Sequence, residues 1–162
     1  MSDATPNLKD LSEILVICTG NVCRSPMAAA ALRAKLFERG IDGIRVSSAG
    51  THGGAIPHAT HEAILAAEDH GLDLTGHRSR LLTEELADEA DLIIAMDHTH
   101  VAAVASRWPQ YADKCVLLTS FRTDTPKGAD VIDPYGAPID LYRQVFALID
   151  TSLDAFLDRL PS

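Results

Sequence analysis

Four short apolar runs, separated from one another by helical pattern, restrict what this chain can fold into. They are EILVIC at Glu13–Cys18, IRVSS at Ile44–Ser48, DLIIAM at Asp91–Met96 and KCVLLT at Lys114–Thr119. Between the first two, Ser25–Arg39 reads as helix, with Pro26 in its first turn and Gly40 as its stop. His58–His70 is a second helical stretch, ended by Gly71, and Thr83 can cap a short acidic-fronted helix in TEELADEA. A further helix is expected over His98–Arg107. Leu141, Val145, Leu148, Ile149, Phe156 and Leu160 form the apolar stripe of a long final helix. Strands that are apolar throughout and alternate with helices imply an α/β fold: a parallel sheet covered on both faces, in one three-layer domain.

Such a sheet binds ligands beyond the carboxyl ends of its strands. The first strand ends there at Cys18 and runs into Thr19-Gly20-Asn21-Val22-Cys23-Arg24-Ser25-Pro26. Gly20 permits unusual backbone angles and Asn21 tolerates them better than most residues. Successive N–H groups in such a turn form an anion cradle, and the helix start adds its positive end. Cradle, helix and Arg24 together favour a sulfur anion at Cys18, and Ser25 can add a hydrogen bond. A phosphate ester suits the same cradle, with its oxygens on the N–H groups and on the planar fork of Arg24. Cys18 then lies beneath phosphorus, placed for in-line attack without a metal or other cofactor. The leaving group requires an acid on the opposite side. Asp133, in VIDPYGAP, is the candidate, held extended by Pro134 in a loop after the fourth strand.

The spacing Cys-x5-Arg is weak by itself. The preceding strand, the internal Gly and Asn, the Ser-Pro that follows and the distant Asp-Pro-Tyr narrow it. Together, CTGNVCRSPMA, SSAGT, GHRSRLLTEE, ADLIIAMD and DPYG resemble the low-molecular-weight protein tyrosine phosphatase family, in order and over nearly the whole chain after its start. That resemblance implies a phosphatase I-like sheet with strand order 2-1-3-4. It implies Cys18 as nucleophile, Arg24 as phosphate binder and Asp133 as general acid. It further implies Asn21, Ser48 and His77 as braces of the loop, Ser25 as thiolate stabiliser and Tyr135 as an aromatic wall. The wall residue after SAGT is left between His52 and Ile56.

The expected activity is hydrolysis of phosphotyrosine in proteins through a phosphocysteine, with inorganic phosphate and other oxyanions as competing ligands. The tail DPYGAPIDLYRQV and the segment AMDHTHV look closer to the protein-arginine phosphatase branch. That branch carries threonine where this chain has Val22, while tyrosine enzymes carry an apolar β-branched residue. Arsenate reductase shares the loop, but one branch needs further cysteines near mid-chain, and Val46–Lys114 holds none.

The remaining features bound the rest. The net charge of −9 argues against nucleic acid or an anionic membrane as partner. The first twelve residues read as a short loose leader before a domain over 13–162, and no run is long enough to span a bilayer. Three cysteines suit a reducing cytoplasm rather than a disulfide framework. Cys115 reads as core. Cys23 reads as structural, with a second reading as a trap for oxidised Cys18. His98 and His100 lack a third ligand and read as a solvated helix face, as do His58 and His61.

Overall fold

The computed structural model describes residues 6–124 and 128–161. Its strands are β1 (Glu13–Cys18), β2 (Arg45–Gly50), β3 (Leu92–Ala95) and β4 (Cys115–Leu117). Its α-helices are α1 (Arg24–Glu38), α2 (His61–Glu68), α3 (Glu84–Glu89), α4 (His98–Arg107) and α5 (Ile139–Leu157). The sheet is parallel with order β2-β1-β3-β4, in agreement with the expected topology. Side chains alternate across it. Ile14, Val16 and Cys18 face the core beneath α1, α2 and α5. Leu15 and Ile17 face the smaller core beneath α3 and α4. Because both faces are covered, the inner strands are apolar throughout Ile14–Cys18 and Leu92–Ala95. The outer edge of β2 is guarded: Arg33 Nε donates to Val46 O and Arg80 Nε to Ser48 O.

Several boundaries differ from the sequence expectation, each for a local reason. The helix expected from His58 begins at His61, because Thr60 is its cap and accepts from Ala63 N. The fourth strand stops at Leu117, and Leu118–Phe121 turn into a 3-10 helix, so Leu118 and Thr119 are not strand. In α5 the buried stripe is Tyr142, Val145, Phe146, Ile149, Leu153 and Phe156, whereas Leu141, Leu148 and Leu160 only flank the core. The loose leader expected over 1–12 is docked from Leu8 onward. Leu11 is buried and Leu8 packs on the core. Ser12 N, Ser12 Oγ and Glu13 N all donate to Asp91 Oδ2 at 2.9 Å. Residues 1–5 of that leader lie outside the described residues.

Helix α4 starts where β3 ends. Asp97 caps it by accepting from Thr99 N, and His100 Nδ1 accepts from Asp97 N in return. His100 is therefore not a solvated residue: it is 1 % exposed. Burial pushes its pKa down to about 4, against the pull of Asp97. Asp97 is raised by burial but drawn down further by Thr99, Arg24 and His100, to about 2. Among the described residues no helix is long and apolar enough to cross a membrane.

Two predictions follow from burial. Phe156 is 0 % exposed and Phe37 87 %. Phe156→Ala should lower unfolding free energy by about 3–5 kcal/mol, and Phe37→Ala by less than about 0.5 kcal/mol, in urea titrations. His100 takes up a proton more readily unfolded than folded. Stability should be full above about pH 6.5 and fall by up to about 3 kcal/mol as the pH drops toward 4. His100→Asn, which keeps an acceptor for Asp97 N, should flatten most of that slope.

Candidate active site

The loop between β1 and α1 is shaped from below. Cys18 pairs in register with Gly50 of β2. A Cβ on Gly50 would meet Thr19 O and lie 2.9 Å from Asn21 N, so the loop can lie on β2 only because residue 50 is glycine. The left-handed backbone falls on Asn21, at φ 58°, and not on Gly20. Every polar group of Asn21 beyond its own N–H is engaged. Its Nδ2 donates to Ser25 Oγ (2.8 Å) and Ser48 Oγ (2.9 Å). Its Oδ1 accepts from Arg80 N (3.0 Å), and its carbonyl accepts from His77 Nε2 (2.7 Å). Burial and the charges of Arg33, Arg78 and Arg80 lower the His77 pKa, against the bond to Asn21. Ser79 Oγ ties down Gly20 O (3.1 Å). Ser48 and His77 therefore sit at the loop.

Cys18 Sγ lies 2.9 Å from Ser25 Oγ. Asn21 already donates to that oxygen, which leaves the Ser25 proton free for the sulfur. Arg24 is buried, and its Nη1 is fully used by Asp97 Oδ2 (2.7 Å) and Val131 O (2.9 Å). Its other edge is open among the described residues. Nη2 meets only Thr19 Oγ1 at 3.4 Å and Asp133 Oδ2 at 3.7 Å. An edge of this kind offers two parallel N–H groups to an oxyanion.

Above the loop lies a cavity of about 230 Å³ lined by Cys18, Thr19, Gly20, Val22, Cys23, Arg24, Ile56, Asp133 and Tyr135. Ile56 is thus the wall residue; His52 is not in the lining. Asp133 Oδ1 accepts from Tyr135 N at 3.1 Å, which fixes the acid and the aromatic in one turn at the rim. Cys23 is buried at the edge of the cavity. Its Sγ is 3.4 Å from Tyr142 OH and 3.6 Å from Thr60 Oγ1, and burial raises its pKa despite those bonds. All three cysteines are free thiols, and burial pushes Cys115 up to about 12.

Two residues that sequence reasoning missed belong to this assembly. Asp97 orients Arg24, and His100 Nε2 lies 2.9 Å from Thr19 Oγ1. One signal was available: Asp97 follows a strand at the same carboxyl edge as the loop and occupies a helix cap. His98, by contrast, is exposed and pairs with Asp130 at 2.6 Å. Among the described residues no group of three or more His, Cys, Asp or Glu is placed to hold a metal.

Comparison with known proteins agrees with this geometry. The protein-arginine-phosphatase of Bacillus subtilis (strain 168) is 39 % identical over 132 residues, 82 % of this chain and 85 % of the relative. The low molecular weight protein-tyrosine-phosphatase Etp of Escherichia coli (strain K12) is 35 % identical over 149 residues, 92 % of this chain and 95 % of the relative. Among solved structures, the YwlE arginine phosphatase mutant with a phosphorylated active site serine superposes with a TM-score of 0.84 at 36 % identity, covering 91 % of this chain and 95 % of that one. The family model described as low molecular weight phosphotyrosine protein phosphatase matches residues 13–162. The chain belongs to the low molecular weight phosphotyrosine protein phosphatase family.

Proposed function

We propose that this chain, a cysteine-based protein phosphatase by family, hydrolyses phosphotyrosine in proteins through a phosphocysteine intermediate. One observation carries the reading: a cradled Cys18 sulfur faces a cavity in which the free edge of Arg24 and the carboxyl of Asp133 both appear. Cys18, as thiolate, attacks phosphorus in line with the leaving oxygen. The S–P bond forms, the P–O bond breaks, and Asp133 gives its proton to the departing phenolate. Asp133 then takes a proton from water as that water attacks phosphorus. The P–S bond breaks, phosphate leaves, and the thiolate is restored with the help of the Ser25 hydroxyl. Loop N–H groups and Arg24 hold the three non-bridging oxygens through both steps. Asn21, Ser48 and His77 keep the loop in shape.

The phenyl ring is accommodated by Val22, Ile56 and Tyr135, an apolar slot above the cradle. Phosphoarginine is the second reading, favoured by the 39 % identity to a protein-arginine-phosphatase. Its guanidinium would meet the methyl groups of Val22 where a hydrogen-bonding side chain would serve it better. Inorganic phosphate is expected to compete for the cradle. The three free thiols suit a reducing compartment, and the cytoplasm is the location we assign.

Cys18→Ser should abolish turnover of an aryl phosphate while phosphate still binds. Asp133→Ala should slow turnover by about 10²–10⁴-fold. Equal rates in all three proteins would remove the mechanism. Matched phosphotyrosine and phosphoarginine peptides should differ in kcat/KM by about tenfold or more in favour of phosphotyrosine. Val22→Thr should narrow that ratio, and a wild-type preference for phosphoarginine would reverse the substrate assignment.

A further inference from the structure

Beside the cradle, the hydrogen bonds among Arg24, Asp97, His100 and Thr19 leave one hydroxyl proton over. The backbone N–H of Asp97 donates to His100 Nδ1 at 3.1 Å. That nitrogen is an acceptor, so the proton of the neutral ring sits on Nε2. Nε2 is 2.9 Å from Thr19 Oγ1 and therefore donates to it. Arg24 Nη2 donates to the same oxygen at 3.4 Å. A hydroxyl oxygen has two lone pairs, and both are now taken. Among the described residues the Thr19 proton has no acceptor within hydrogen-bond reach, and Thr19 lines the cavity above Cys18.

We propose that Thr19 donates its hydroxyl proton to a phosphoryl oxygen of the bound ligand, and that His100 is the positioning residue that aims it. This rests on the phosphatase reading of the site. Arg24 explains which oxygen is meant. With Nη1 consumed by Asp97 and Val131, the ligand must use the Nη2 side, and an oxygen held there lies beside Thr19. His100 can only aim the hydroxyl while neutral. A second ring proton would point Nδ1–H at the Asp97 N–H and undo the arrangement. The groups facing the ring are Asp97 (its Oδ1 3.4 Å from Nδ1), Asp130 and Asp133, which favour the cation, and Arg24, which opposes it. Burial outweighs the three acids, so the neutral tautomer persists at working pH. The alternative is that Thr19 merely satisfies a buried histidine. In that case its proton contributes nothing to a ligand.

The two cases separate by calorimetry with inorganic phosphate in a Cys18→Ser background, where binding is read without turnover. Thr19→Val should weaken phosphate binding by about 10–100-fold, the usual worth of a hydrogen bond to a charged acceptor. Thr19→Ser, which restores the hydroxyl, should stay within about threefold of the parent. His100→Asn keeps the acceptor for Asp97 N but cannot reach Thr19. It should cost about three- to tenfold alone and nothing further on top of Thr19→Val. In the Cys18 enzyme, kcat/KM for an aryl phosphate should fall in parallel. Unchanged phosphate affinity in Thr19→Val, or a His100→Asn loss that persists undiminished in the double variant, would overturn the proposal. A Cys18 enzyme that turns over no aryl phosphate although its Cys18→Ser form binds phosphate would defeat the phosphatase reading alone, and a Cys18→Ser form that binds no phosphate would defeat both.

Discussion

The site depends on a single left-handed residue that is not glycine. Asn21 holds φ at 58° and at the same time makes four hydrogen bonds, to Ser25, Ser48, Arg80 and His77. Glycine would adopt the angle with less strain but would forfeit the three side-chain bonds. Aspartate would tolerate the angle but could not donate to two hydroxyls. Asparagine alone supplies two donors, one acceptor and tolerance of that backbone. Its partners come from α1, from β2 and from the segment after Gly76. The loop is therefore braced by three parts of the chain that only the parallel sheet brings together.

Once the loop is fixed, Arg24 becomes the costly group. It is buried in a chain of net charge −9, and a buried cation needs charged or polar partners to offset its desolvation. Asp97 and the Val131 carbonyl meet that need through one nitrogen, leaving the other edge for an anion. Lysine could not divide its roles this way, because its donors share one nitrogen. Asp97 is in turn held ionised by Thr99 and Arg24 and doubles as the cap of α4. A helix start, a buried ion pair and an anion-binding edge thus share one carboxylate. The overall negative charge is no obstacle to an anionic substrate, because the local field is set by the loop N–H groups and this guanidinium.

Much of this was legible in the sequence, and the limits have physical causes. The parallel sheet, the Cys18 loop with Ser25, and Asp133 were readable because strand pattern and motif spacing are local signals, whereas the order of the strands and the placing of Ser48 and His77 beside the loop came only through the family resemblance. Asp97 and His100 were not readable. Their meaning depends on β3 ending beside β1, and a histidine in a helical pattern reads as solvated until its burial is known. The start of the domain misled for a related reason. Leu8 and Leu11 lie in a polar stretch, and the chain that carries them is pinned by groups distant in sequence, Asp91 and the Arg45 N–H. The choice between His52 and Ile56 also needed the fold, since it turns on which side chain the loop after β2 lays against the cavity. Strand and helix ends shifted by a few residues where a cap or 3-10 turn intervened.

Recognition in this site divides unevenly between its floor and its rim. The floor reads only an oxyanion, and any phosphoryl group would satisfy it, so discrimination among substrates must come from what stands above phosphorus. Three side chains stand there. Val22 is buried in the loop itself and presents methyl groups whatever is bound. Ile56 and Tyr135 are half exposed, so part of their apolar surface is open to whatever enters the slot. On the proposed phosphotyrosine reading, burying that apolar surface on binding favours a flat apolar leaving group over a charged one. Tyr135 is also bonded through its N–H to Asp133, so the aromatic side chain and the carboxylate at the rim are held in one turn. A change that displaces Tyr135 in that turn also displaces Asp133. The Asp133–Tyr135 turn can vary only in concert, which leaves Val22 and Ile56 as the lining positions that can change the slot without disturbing that pair.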